Sequence, residues 1–123
     1  MARLLSMVVY TRQLSRMRDF YKAIGLDLIE EKHGDGPQHF SCKMNNVLIE
    51  FYPSEQYQSR YRFEFGTKEL GMVIKRLILG SFTQSAQVSD FEKRGLHIVD
   101  PDGNTVIINN LLFDQQACKN PSK

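Results

Sequence analysis

The chain has no tryptophan, only two cysteines, and no apolar run approaching the roughly twenty residues that a bilayer crossing needs. Each scarcity excludes something. Cys42 and Cys118 stand in no metal-binding or redox spacing, so a disulfide scaffold and a zinc knuckle are excluded and two free thiols in a reducing compartment are expected. The opening Met1-Ala2-Arg3-Leu4-Leu5 has neither the apolar core nor the cleavage site of a signal peptide, so the chain is expected in the cytoplasm with no membrane partner. Charge of one sign is scarce too. The net charge is +2, acids and bases are interspersed, and no block of like charge exists to bind nucleic acid. Nucleophile elbows, phosphate loops and dinucleotide fingerprints are also missing.

What remains is an ordinary globular composition, 41% hydrophobic and 24% charged over 123 residues, enough for one domain with its own core. Alternation predicts strands over 5–10, 26–33, 38–44, 47–52, 61–66, 96–99 and 105–109, with a further short strand somewhere in 82–88. Helical spacing places Leu14, Met17, Phe20, Tyr21 and Ile24 on one face, and Leu70, Val73, Ile74, Leu77 and Ile78 on another, with Gly25 and Gly80 just behind. Asn45-Asn46 suits a tight hairpin because asparagine tolerates positive φ, and Gly34-Asp35-Gly36-Pro37 is turn chemistry. The order is β-α-β-β-β twice: one module over about 4–53, a second over about 60–110, and a polar tail over 114–123.

Strand parity separates two faces. One set is apolar: Met7, Val9, Phe40, Cys42, Met44, Val47, Ile49, Phe51, Phe63, Phe65, Val106 and Ile108. The other is mixed and carries Ser6, Tyr10, His39, Ser41, Glu50, Tyr52, Arg62, Glu64 and Ile107. Two readings fit the mixed face, the wall of a partly hydrated cavity or a plain solvated sheet face.

Phe20-Tyr21 followed by Gly25-Leu26, and Asp100-Pro101-Asp102-Gly103-Asn104 before an alternating strand, resemble the first-helix and last-hairpin signatures of the glyoxalase/bleomycin-resistance (vicinal oxygen chelate) superfamily. The resemblance covers roughly residues 4–110. It implies an α+β fold of two paired β-α-β-β-β modules, with curved mixed sheets around a cavity, in a homodimer. It also implies four metal-ligand places, which fall at or near Ser6, on Glu50, near Arg62 and on Ile107. Only Glu50 is a ligand type, and a catalytic ion wants about three protein ligands, so no metal and no other cofactor is expected. A guanidinium at Arg62 would also repel a divalent cation.

The expected function is therefore metal-independent binding of a small molecule, anionic or aromatic, walled by Ser6, Tyr10, His39, Tyr52, Arg62 and Ile107. Glu50 and Arg62 are expected to face each other, either as general base and anion anchor or as a structural ion pair. His39 could move a proton or simply line the wall. The alternatives are a lyase or dioxygenase whose metal site is rebuilt from Glu50 with His39 or His97, and a degenerate, non-catalytic member with a structural or partner-binding role.

Overall fold

The computed structural model describes residues 1–83 and 94–112. The chain forms two compact units, Met1–Arg60 and Tyr61–Lys123.

The first unit contains β1 (Ser6–Thr11), α1 (Leu14–Ala23), β2 (Ile29–Glu31), β3 (His39–Met44) and β4 (Val47–Pro53). Its strands form a mixed sheet in the order β1-β4-β3-β2. β1 pairs parallel to β4, Ser6 with Leu48 and Tyr10 with Tyr52, and the other pairings are antiparallel. Asn45 and Asn46 take φ of 49° and 69°, which makes the two-residue hairpin between β3 and β4. α1 buries Met17, Phe20, Tyr21 and Ala23, and the Tyr21 ring meets Phe51 with centroids 5.0 Å apart. Val9, Phe40, Cys42, Ile49 and Phe51 complete this core, each large side chain contributing roughly 1.5–3 kcal/mol by leaving water.

The second unit contains β5 (Arg62–Thr67), α2 (Leu70–Leu79), β6 (Gly95–Val99) and β7 (Thr105–Asn110), with sheet order β5-β7-β6. β5 runs parallel to β7, as β1 does to β4. Leu70, Val73 and Leu77 of α2 are buried, as are Leu96, Ile98, Val106 and Ile108 of the sheet. Phe63 and Phe65 have the expected parity but are only half-buried. The last turn is held from within. Asp100 Oδ1 accepts the amides of Asp102 at 3.0 Å and Asn104 at 2.9 Å, and Asp100 Oδ2 accepts the Tyr61 hydroxyl at 2.5 Å. Gly103, at φ 87°, closes it.

The same device begins both helices. Thr11 Oγ1 accepts the Gln13 amide at 3.1 Å, and Thr67 Oγ1 accepts the Glu69 amide at 3.0 Å. The same device also ends them. Leu26 N–H donates to Tyr21 O across Gly25 at φ 112°, and Phe82 N–H donates to Leu77 O across Ser81 at φ 61°, both at 2.9 Å.

One expectation is corrected. The second strand is Ile29–Glu31, not 26–33, because the amides of Leu26 and Leu28 already donate to Tyr21 O and Leu26 O. Gly80 stands just behind α2 as its C-terminal cap at φ −84°, and Ser81 after it takes the left-handed conformation. Of the strand expected in 82–88, residues 82 and 83 are not in a strand and the rest lie outside the described residues. Phe113, Cys118 and the polar tail from Asp114 on also lie outside them. No helix among the described residues is long and apolar enough to cross a membrane.

Candidate functional site

In the first unit, the mixed face of β3 and β4 and the end of β2 gather ionisable side chains around one histidine. β2–β3 pairing sets Glu31 opposite His39, and β3–β4 pairing sets Ser41 opposite Glu50. Period two then puts His39, Ser41, Glu50 and Tyr52 on one face.

His39 is 1% exposed. Its Nδ1 lies 3.2 Å from the carbonyl oxygen of Pro37. Its Nε2 lies 3.5 Å from Glu31 Oε1 and 3.5 Å from Glu50 Oε2, yet it makes no hydrogen bond. Tyr52 stacks on the imidazole, centroids 4.1 Å apart and planes 10° apart, which fixes the ring orientation. The Tyr52 hydroxyl donates to Glu50. Partial desolvation, then the Glu50 carboxylate and the hydrogen bond to it, push that hydroxyl above the ordinary tyrosine range. The Ser41 hydroxyl donates to Glu31 Oε1 at 2.5 Å. His33, at the head of the turn closed by the Gly36 N–H to His33 O bond, brings its Nε2 to 4.0 Å from Glu31 Oε1.

Beside this cluster is an open pocket of about 520 Å³ lined by Tyr10, Gln56, Tyr57, Gln58 and Ser59. Ser59 anchors the lining segment to β1, because the Tyr10 amide donates to Ser59 Oγ at 2.8 Å and the Ser59 amide to Tyr10 O at 3.0 Å. Tyr10 has ring centroids 5.9 Å from Tyr57 and 6.5 Å from Tyr52, so three tyrosines form a continuous aromatic strip.

The residues singled out from sequence thus separate. His39, Glu50 and Tyr52 meet, and Tyr10 adjoins them through the strip. Ser6 is exposed at the start of β1. In the second unit, Arg62 is exposed and pairs with Glu64 at 3.7 Å. Glu50 belongs to the first unit, beside His39, and Arg62 to the second, beside Glu64. Ile107 is buried beside Glu64 and His97 in register, and Asn109 Nδ2 donates to Glu64 Oε2 at 2.7 Å. His97 is exposed in the second unit. Glu31 escaped sequence reasoning. The only available signal was the alternating Glu31-x-His33 with His39 behind a turn, which has meaning only once the β2–β3 register is known.

No family model matches the chain, and no curated protein matches it. Solved structures do. The chain is similar to the oxidase ChaP-H2 (TM-score 0.64, 15% identity, 87% of this chain and 91% of that one). It is similar to the trypanothione-dependent glyoxalase I of Leishmania major (TM-score 0.64, 14% identity, 97% and 94% covered). It is also similar to TnmS3, an antibiotic binding protein from Streptomyces sp. CB03234 (TM-score 0.63, 16% identity, 88% and 95% covered). The class defined is an α+β protein with the fold of the glyoxalase/bleomycin-resistance, or vicinal oxygen chelate, superfamily.

The metal-ligand places that the sequence resemblance implies hold side chains of mostly unsuited chemistry. Ser6 is a weak ligand, Arg62 is a cation already paired with Glu64, Ile107 is apolar, and Glu50 alone is a ligand type.

Proposed function

We propose that the chain is a small-molecule-binding protein, acting as a homodimer, that holds its ligand without the metal centre of the superfamily. The observation that carries this reading is the tyrosine-lined pocket. Its volume of about 520 Å³ falls in the range of small-molecule sites, roughly 300–1,000 Å³. Its lining is chemically matched to a flat, amphipathic guest. Tyr10 and Tyr57 offer ring faces, Gln56 and Gln58 offer amides, and among the described residues no charged side chain lines it. A fold neighbour is an antibiotic binding protein, a precedent for binding on this scaffold.

A panel of aromatic acids and aromatic drugs tests the reading by thermal shift. At least one member is expected to raise the unfolding midpoint of the wild type, and Tyr57→Ala, at a side chain 63% exposed, is expected to abolish the rise while leaving the unliganded midpoint unchanged. A panel without effect, or an equal rise in Tyr57→Ala, refutes it. Arg62→Ala in the same assay decides whether an anionic group is anchored there.

A metal-dependent lyase or dioxygenase with rearranged ligands is the second reading. The unbonded Nε2 of His39 between two carboxylates favours it.

A further inference from the structure

We propose that Glu31, His33 and His39 form a site for a divalent first-row transition ion, with Glu50, whose Oε2 is 3.5 Å from His39 Nε2, as a fourth ligand. The site lies on β2, β3, the turn between them and β4, and of its residues only Glu50 coincides with a ligand place that the resemblance implies. It stands independently of the tyrosine pocket.

Three observations carry it. The first is proximity. One ligand atom each from Glu31, His33 and His39 lie within 4.8 Å of one another. Ligands about 2.0–2.2 Å from one ion stand roughly 3–4 Å apart. The contacts of 3.5 Å from His39 Nε2 to Glu31 and to Glu50 already meet that spacing, as does the 4.0 Å from His33 Nε2 to Glu31. His33, with its side chain 70% exposed, has room to close the widest gap by rotation.

The second is the state of His39. Pro37 O can only accept, so its contact with Nδ1 places the ring proton there and aims the Nε2 lone pair at the cluster. A histidine that donates one N–H to a backbone carbonyl while the other nitrogen faces an ion is the usual arrangement of a metal-bound imidazole. Tyr52 stacked at 4.1 Å holds the ring in that plane.

The third is the mismatch left without a cation. The Nε2 atom is fully buried and has no hydrogen-bond partner, and both oxygens nearest it belong to carboxylates. A lone pair facing two negative groups is repulsive, and a buried polar atom left unpaired is destabilising. One ion bound to all three reverses the sign of the interaction. Two imidazoles with carboxylate oxygens suit zinc, nickel or iron(II), whereas magnesium and calcium prefer oxygen alone.

Untagged protein, stripped with chelator, is titrated with Co²⁺ and then with Zn²⁺. Cobalt is expected to develop visible d–d absorption that saturates at one ion per chain, zinc to displace it, and Mg²⁺ to leave it unchanged. His33→Ala and Glu31→Gln, both folded by circular dichroism, are each expected to weaken zinc affinity by more than about ten-fold. His33 is exposed, so its variant separates ligation from folding. Absence of saturable binding in the wild type overturns the proposal, and so does unchanged affinity in either variant. The aromatic panel, run on metal-free His33→Ala, reads the tyrosine pocket alone, so failure of one site is distinguishable from failure of the other.

Discussion

The pair Tyr52 and Glu50 shows how much one contact can reveal. The hydroxyl is held above the ordinary tyrosine value by partial desolvation first and by Glu50 second. A tyrosine whose folded pKa is raised keeps its proton longer than the unfolded chain does. Its contribution to stability is therefore complete below the ordinary value near 10.0 and is lost as pH rises through the raised one. Tyr52 is expected to contribute a late-ionising step to an absorbance titration at alkaline pH. Tyr52→Phe should remove that late step. Glu50→Gln should move it down only part of the way, because desolvation persists. A step unaffected by either substitution would assign it to another tyrosine. At this scale the sequence exposed half of the cluster. Parity put His39, Glu50 and Tyr52 on one face, since alternation within a strand is local. It could not bring Glu31 to His39, because that meeting depends on the pairing register of a strand only three residues long.

At the scale of elements, the two units end their helices by one hydrogen-bond pattern with different residues in the left-handed position. Gly25 adopts φ 112° without steric cost, whereas Ser81 at 61° carries strain. Ser81→Gly is expected to stabilise the protein by about 0.5–1 kcal/mol, the relief of strain being partly offset by the freer unfolded chain. Gly25→Ala is expected to destabilise by about 1 kcal/mol or more. Urea denaturation of the two variants measures both, and opposite signs are the required result. Gly80 ends α2 as its position behind the helical pattern suggests. Its lack of a side chain answers another demand, since a Cβ there would lie 2.6 Å from the Phe82 ring. The helices themselves, the Asn45-Asn46 hairpin and most strand bounds were legible, because periodicity and turn chemistry are properties of neighbouring residues. The short β2 was not, because Leu26 and Leu28 are buried like strand residues while their amides serve a helix end and a turn.

At the scale of the whole molecule, the exposed apolar side chains invite a second copy. Leu4, Leu5 and Val8 are exposed along β1 and its approach, and Ile29 is exposed on β2. Both strands are sheet edges. Contiguous exposed apolar residues mark contact surfaces more often than isolated ones do. Light scattering is expected to give the mass of two chains, and Leu5→Glu to reduce it to one; a wild type with the mass of one chain would refute the homodimer. The parallel β1–β4 pair has a different consequence, one of time. Leu48 meets Lys43 across a two-residue turn but meets Ser6 only after most of the unit has been made. Local hairpins close in about 1–10 μs, while distant pairings wait on loop entropy. The hairpin that carries His39 and Glu50 is therefore expected to form early and β1 to dock late, so the chemical centre of the unit takes shape before the sheet around it is complete.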